Sequence, residues 1–321
     1  MAAAFRLPDG VLGMARRGPA WAGWVDRLPG IAATVLEEWD LALDGLPMHG
    51  FCALVLPVRT PGGRPAALKL TFDEDEESEH EHLALQHWHG NGAVRLLRAD
   101  PHRRALLLER LHPEDLTDLW DVEACEVVGG LYGRLHVPAP PQLHRLTSYV
   151  ERWAADLDDL PRNAPVPRRL VEQTRMLARD LVADRASNGV MIHGDLHYEN
   201  VLAGDREPWL VIDPKPMSGD PHYEPAAMLW NRFEELAAPD RHEGVRDGLR
   251  RRFHTLVDVA GLDEDRARDW VVVRMVLNAM WAIQDAARER RGRAPVPASG
   301  LTESDRTWVT MCVTVAKAVQ D

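Results

Sequence analysis

Three oxygen-bearing side chains set the chemistry this chain could do. Asp195 and Asn200 lie in His193-Gly194-Asp195-Leu196-His197-Tyr198-Glu199-Asn200, and Asp213 closes Trp209-Leu210-Val211-Ile212-Asp213. The amide follows the first carboxylate by five residues, and the second carboxylate follows the amide by thirteen. A carboxylate on a loop can accept the proton of an attacking hydroxyl. An amide and a second carboxylate offer hard oxygen ligands of the kind magnesium takes. H-x-D-L-x-x-x-N, followed by an apolar strand that ends in Asp, is the layout that phosphoryl transfer from a nucleotide uses. The plainer reading is a polar hairpin with turn-forming Asp and Asn. The motif and its strand context together favour the chemistry.

The elements around these residues read locally. Met191-Ile192 leads into a His-Gly turn, residues 201–203 read as a short strand, Gly204-Asp205 is a turn signal and residues 209–212 return. Asn200 and Asp213 are therefore expected near one end of a hairpin, with Asp195 on the loop entering it. Upstream, residues 51–58 and 66–72 form a second expected hairpin across Pro61-Gly62-Gly63-Arg64-Pro65. Its second arm carries Lys69, one of only three lysines among 38 basic residues; the others are Lys215 and Lys317. A lysine between Leu68 and Leu70 on a strand can reach nucleotide phosphates as a compact charge. The acidic run 73–79 suits a loop and helix N-terminus. In the helix expected over 79–88, Glu81 is the first choice to pair with Lys69 and Glu79 the second. Strands are expected at 94–97 and 105–108, with Glu109-Arg110-Leu111 ending the sheet.

Composition bounds the class. The chain has 321 residues, 45% hydrophobic and 27% charged, with a formal net charge of −12. That is an ordinary globular composition, long enough for two lobes. The acidic balance and the lack of a basic stripe argue against a nucleic-acid surface. It would suit a cationic substrate, and it also serves solubility. Cys52, Cys125 and Cys312 are scattered and odd in number, so neither a disulfide framework nor a metal spacing is expected, and a reduced cytoplasmic setting fits. No signal peptide is read in residues 1–18. The apolar stretch 270–283 is interrupted by Arg274 and Asn278 and reads as a buried helix rather than a membrane span.

The rest of the chain is read as mainly helical. Residues 1–30 are expected to be an irregular lead-in, with Trp21, Trp24, Ile31, Val35 and Leu36 able to make a short amphipathic helix, and 39–45 a first strand. Helices are expected at 123–136, where His136 caps or packs the end and the prolines after it stop the helix, and at 168–184, 224–236, 245–257, 265–288 and 302–319. Residues 214–221 read as a loop, Arg250-Arg251-Arg252 as a solvated face and 294–299 as linker.

With these residues in hand, the sequence resembles the aminoglycoside 6-phosphotransferase (streptomycin 6-kinase) and hydroxyurea phosphotransferase family. The resemblance runs along most of the chain. It is carried by Ala66-Ala67-Leu68-Lys69-Leu70, Ala93-Val94-Arg95-Leu96-Leu97, Leu106-Leu107-Leu108-Glu109-Arg110-Leu111, Asp195-Leu196-His197-Tyr198-Glu199-Asn200-Val201-Leu202, Glu207-Pro208-Trp209-Leu210, Ile212-Asp213-Pro214 and Gly219-Asp220-Pro221. It implies an α+β, bilobal protein-kinase-like fold: a small antiparallel-sheet nucleotide-binding lobe over 1–111, ending at a hinge, and a larger helical lobe over 112–321, with ATP bound between them. By analogy Asp195 positions or deprotonates the acceptor hydroxyl, and Asn200 and Asp213 bind Mg2+. Lys69 contacts the phosphates and pairs with Glu81, Glu109 to Leu111 supply the hinge, and His193 orients the loop. Two departures stand out. Residues 46–52 hold one glycine where a protein kinase has a glycine-rich loop, and only six residues separate Asp213 from Asp220, too few for an activation segment. A small-molecule acceptor is therefore favoured over a protein.

For the acceptor, Asp220, Glu224, Trp230, Asn231, Trp281, Gln284 and Asp285 are candidates, because they fall on segments expected to wall the cleft. Carboxylates could bind guanidinium groups by paired hydrogen bonds and tryptophan faces could stack on cations. The tryptophans serve equally as core. Streptomycin or a close relative is the first acceptor to consider. Hydroxyurea or a metabolic sugar or amino alcohol is the alternative. A nucleotide-binding pseudokinase is disfavoured by the intact Lys69, Asp195, Asn200 and Asp213.

Overall fold

The computed structural model describes residues 5–160, 163–238, 244–289 and 301–320. The chain begins with helices α1 (Asp9–Met14) and α2 (Pro19–Glu38), not the irregular lead-in expected. Trp24, Val25, Leu28, Ala32 and Val35 recur at helical spacing and are buried, and Pro19 presets the first turn. Pro29 removes one hydrogen bond from the helix interior without ending it, because the apolar face on either side is packed. The strand expected over 39–45 shrinks to β1 (Ala42–Leu43), since Trp39 caps α2 and Asp40 takes a left-handed φ of 52°.

A sheet follows: β2 (Met48–His49), β3 (Ala53–Arg59), β4 (Pro65–Thr71), then α3 (Glu81–Trp88), β5 (Leu96–Asp100) and β6 (Ala105–Glu109). Its order is β1-β3-β4-β6-β5, with β2 also on β3, and every pairing is antiparallel. Strand β4 is central, and Lys69 sits opposite Val55 on one side and Leu106 on the other. The strand expected at 94–97 starts later, because Val94 spends its N–H on the carbonyl of Val211 at 2.9 Å.

Helix α4 (Asp121–Leu135) stops before the prolines, and β7 (Val137–Pro138) follows. Helix α5 (Leu146–Ala155) was not anticipated; α6 (Arg168–Ala183) was. Strand β8 (Val190–Ile192) leads into the Asp195 loop, and β9 (Val201–Ala203) and β10 (Trp209–Val211) form the expected antiparallel hairpin.

The loop expected over 214–221 contains β11 (Met217–Gly219), paired with β8. The approach is close there: a Cβ on Gly219 would lie 2.5 Å from Ile192 Cδ1, so that side chain would have to shift. The single helix expected over 224–236 is two, α7 (Ala226–Trp230) and α8 (Phe233–Leu236), parted by extended Asn231 and left-handed Arg232. Arg252 stabilises that break by donating to the carbonyls of Asn231 at 2.6 Å and Arg232 at 3.3 Å. Helices α9 (Val245–Ala260), α10 (Glu264–Glu289) and α11 (Glu303–Ala318) complete the chain, with Thr302 and Asp305 forming a capping box on α11. Arg252 is no part of a solvated face: it is fully buried, with Nη2 2.9 Å from Asp121 Oδ1. The linker expected at 294–299 lies outside the described residues.

The chain packs as two compact units. The first combines the described residues of Met1–Glu114 with Val201–Pro216; the second combines Asp115–Asn200 with those of Met217–Asp321. The β9–β10 hairpin and Asp213 thus belong with the sheet, where a division at 111 puts them with the helices. The physical reason is pairing: Val211 and Ala203 bond to Val94, Gly92, His112 and Glu114. The first unit is a small antiparallel sheet with α1–α3, and the second is mainly helical, so the α+β class holds. Among the described residues, no helix is long and apolar enough to cross a membrane.

Candidate active site

In the sheet unit, Lys69 is the centre of a charged cluster. Its Nζ lies 2.7 and 2.6 Å from the two Glu81 oxygens and 2.5 Å from Asp213 Oδ1. Strand β4 delivers the lysine, and Glu81, first residue of α3, faces inward and is buried. Glu79 lies two residues earlier on an exposed turn. Burial alone would lower the Lys69 pKa. The Asp213 and Glu81 carboxylates outweigh it and hold the ammonium above its ordinary value. Asp213 itself adopts φ 52°, a backbone state that non-glycine residues take at a cost.

A second lysine joins this cluster. Lys215 Nζ is 3.4 Å from Asp213 Oδ1, 3.7 Å from Asp75 Oδ2 and 4.0 Å from Cys52 Sγ. Burial opposes its charge, but Asp213 and the groups around it raise its pKa. The Cys52 thiol donates to Asp75 at 3.2 Å, and burial pushes it up to about 12. Sequence reasoning passed over Lys215. The usable signal was that two of the three lysines fall beside motif residues.

The hinge candidates separate in role. The Glu109 carboxylate is occupied by structure: it accepts from Arg95 N at 2.7 Å and from Arg206 Nη2 at 2.8 Å. Leu111 makes no backbone hydrogen bond within the described residues.

In the helical unit, the loop after β8 is held from beneath. Fully buried Glu224 accepts the backbone N–H of His193 at 2.5 Å and of Gly194 at 3.2 Å, with His136 Nε2 3.6 Å away. Burial alone would raise the Glu224 pKa. His136, His193 and the loop amide outweigh it and hold the carboxyl below its ordinary value. His193 Nδ1 accepts from Asp195 N at 3.3 Å. Gly194, at φ 82°, supplies a turn that favours glycine. Asn200 donates its amide to Asp195 O at 2.8 Å and contacts His197 Nε2 at 3.1 Å. That leaves its side-chain carbonyl oxygen without a partner among the described residues. The amide oxygen of Asn200 in this unit and the carboxylate of Asp213 in the sheet unit are each, by type, hard donors of the kind magnesium takes.

Arg274, on α10, also grips this loop. Its Nη2 donates to Gly194 O at 2.5 Å and lies 3.9 Å from Asp195 Oδ1, and its guanidinium stacks over Tyr223 at 4.4 Å and Trp230 at 4.6 Å. Sequence reasoning used Arg274 only to exclude a membrane span. A cation in an apolar helix signals a buried partner.

The acceptor candidates divide. Asp220 is buried and occupied: it takes Arg266 Nε at 2.6 Å, Trp270 Nε1 at 2.7 Å and His222 Nδ1 at 2.6 Å. Glu224 is consumed by the loop amides. Both carboxylates are almost fully buried among framework partners and present almost no surface. Asn231 supports the helix break, and Trp230 carries Arg274. Trp281 and Gln284 stand apart from these, beside Tyr149, Trp153 and Asp156. Asp285 is exposed on the same helix.

A family profile described as aminoglycoside/hydroxyurea antibiotic resistance kinase matches residues 38–286. The chain belongs to that family. It is 38% identical over 278 residues to a streptomycin 6-kinase of Streptomyces glaucescens, covering 84% of this chain and 88% of the relative. It is 41% identical over 280 residues to a hydroxyurea phosphotransferase of Kitasatospora aureofaciens, covering 84% and 77%. As a member of the family it is an ATP-dependent phosphotransferase with an alcohol group as acceptor. The fold is protein-kinase-like: a solved amicoumacin kinase aligns with TM-score 0.59 and 15% identity over 88% of this chain and 92% of its own.

Proposed function

We propose that this kinase transfers the γ-phosphoryl group of ATP to a hydroxyl of streptomycin or a close aminoglycoside, and so confers resistance to it. The observation that carries the reading is Lys69 bound to both Glu81 oxygens and to Asp213, the buried arrangement a phosphate-binding lysine needs. Asp195 takes the proton of the acceptor hydroxyl as its oxygen bonds to phosphorus and the bond to ADP breaks. Asn200 and Asp213 would hold magnesium, which when bound neutralises phosphate charge. The amicoumacin kinase relative was solved with AMP-PNP and Ca2+, which supports nucleotide and divalent-cation use here. The backbone of residues 109–111 ends the nucleotide lobe and meets the adenine edge. The acceptor is a small cationic molecule and the setting cytoplasmic.

Hydroxyurea is the second reading, favoured by the 41% identity to a hydroxyurea phosphotransferase. Acceptor-dependent ADP release from magnesium-ATP, with streptomycin and hydroxyurea in separate arms, decides between them. Release with streptomycin supports the first reading, and release with hydroxyurea alone replaces it with the second.

A further inference from the structure

The two lysines of the sheet unit are held very differently. Lys69 Nζ makes three short contacts, at 2.7 and 2.6 Å to the Glu81 oxygens and at 2.5 Å to Asp213 Oδ1. An ammonium has three N–H donors, so this one is spent on carboxylates. Lys215 has no acceptor nearer than 3.4 Å among the described residues. Asp213 Oδ1 stands at that distance, Asp75 Oδ2 at 3.7 Å and Cys52 Sγ at 4.0 Å. Asp75 in turn accepts from the Cys52 thiol at 3.2 Å. Yet the Lys215 side chain is only 13% exposed. An ammonium taken from water and left beyond normal bonding length from each partner is only partly compensated. It keeps donors for an anion.

The surroundings say which anion. Both ammonium groups address one oxygen, Asp213 Oδ1, so the two cations are neighbours across a single atom. A ligand that used both would carry several negative oxygens close together, as a polyphosphate does and a lone carboxylate does not. The backbone already holds Lys215 for such use. It stands between Pro214 and Pro216, both buried, whose rings fix φ on either side. Little backbone freedom is left to lose on binding. Cys52 adds an independent observation. It closes residues 46–52, which hold one glycine where a protein kinase covers the phosphates with a glycine-rich loop. The end of that segment lies against the Lys215 ammonium. Side-chain charge is thus on hand where the glycine-rich backbone cover is missing.

We propose that Lys215 is a second phosphate-binding residue of this kinase. Its ammonium takes the nucleotide polyphosphate beside Lys69 and supplies positive charge at the glycine-poor segment. This role rests on the reading of the Lys69 cluster as the phosphate site and deepens it.

Calorimetric titration of the full chain with magnesium-ATP and with adenosine provides the test. Lys215→Met should weaken ATP binding about 10- to 100-fold and leave adenosine, which has no phosphate, unchanged. Lys215→Arg keeps the charge and should bind ATP more tightly than Lys215→Met. Each variant is first melted without nucleotide, and Lys215→Gln stands in if the methionine variant does not fold. If the uncharged variant binds ATP as the wild type does, the role of Lys215 is overturned and the reading of Lys69 stands. If it loses ATP and adenosine in equal measure, Lys215 only supports the fold of the site, and the role is again overturned. If the wild type itself binds no ATP, both readings fail. Streptomycin enters no arm, so a different acceptor would leave the role of Lys215 intact.

Discussion

Glu224 accepts the backbone N–H of His193 at 2.5 Å, with none of its own surface exposed. One carboxylate thus fixes the start of the loop that carries Asp195. Its depressed pKa makes this anchor pH-dependent. A carboxyl held low in the folded chain gives stability that is present above the ordinary glutamate value of about 4.3. That stability is lost as pH falls through the folded value. Glu224→Gln should cost about 2 kcal/mol near neutrality, and the gap to the wild type should close below about pH 4. Urea midpoints from pH 7 to 3 measure it. A gap that stays constant over that range contradicts the anchor.

Lys69 and Glu81 form a buried pair, so removing one partner strands the other. Lys69→Met should destabilise the chain by about 3–5 kcal/mol. The double change Lys69→Met with Glu81→Leu should recover most of that loss and none of the turnover. Denaturant midpoints and ADP release, measured on the same samples, separate the two effects. A single variant as stable as the double would count against a paired carboxylate.

Arg274 acts on Asp195 through the loop. Lysine keeps the charge but lacks the flat group that stacks on Tyr223 and Trp230 while donating to Gly194. Arg274→Lys should lower kcat about 10- to 100-fold and leave the ATP KM unchanged. Steady-state kinetics with both substrates varied check this. An unchanged kcat removes Arg274 from loop positioning.

The three thiols should be inert. Cys52, Cys125 and Cys312 are buried, and burial is the largest cause pushing each up to about 12. At pH 8 the thiolate fraction is on the order of 1 in 10,000. Dithionitrobenzoate should titrate none of them in the native chain and all three in guanidinium. Rapid native release of the chromophore would contradict this burial.

The hairpins and the long helices were legible because their signals are local. Alternation around Lys69, the Gly204-Asp205 turn and the apolar run of α10 need no distant partner to interpret. The choice of Glu81 over Glu79 depends on which residue opens α3, and spacing alone barely decides that. Asp220 and Glu224 were acceptor candidates because their segments were expected to wall the cleft, and their burial cannot be read locally. Trp270, Arg266 and the His193 amide, which bury and satisfy them, are distant in sequence. Arg252 failed for the same reason: its charge is answered by Asp121, 131 residues earlier. Arg274, Asn278 and Lys215 were visible as odd residues in their settings, but only packing says what they face.

In the proposed reaction Asp195 takes the proton of a streptomycin hydroxyl. Streptomycin-dependent ADP release from magnesium-ATP, compared between the wild type and Asp195→Ala, tests this. Release by the wild type, with the variant lower by orders of magnitude and its ATP affinity nearly unchanged, is the predicted result. Equal release by both proteins, or none above background by the wild type, would contradict it.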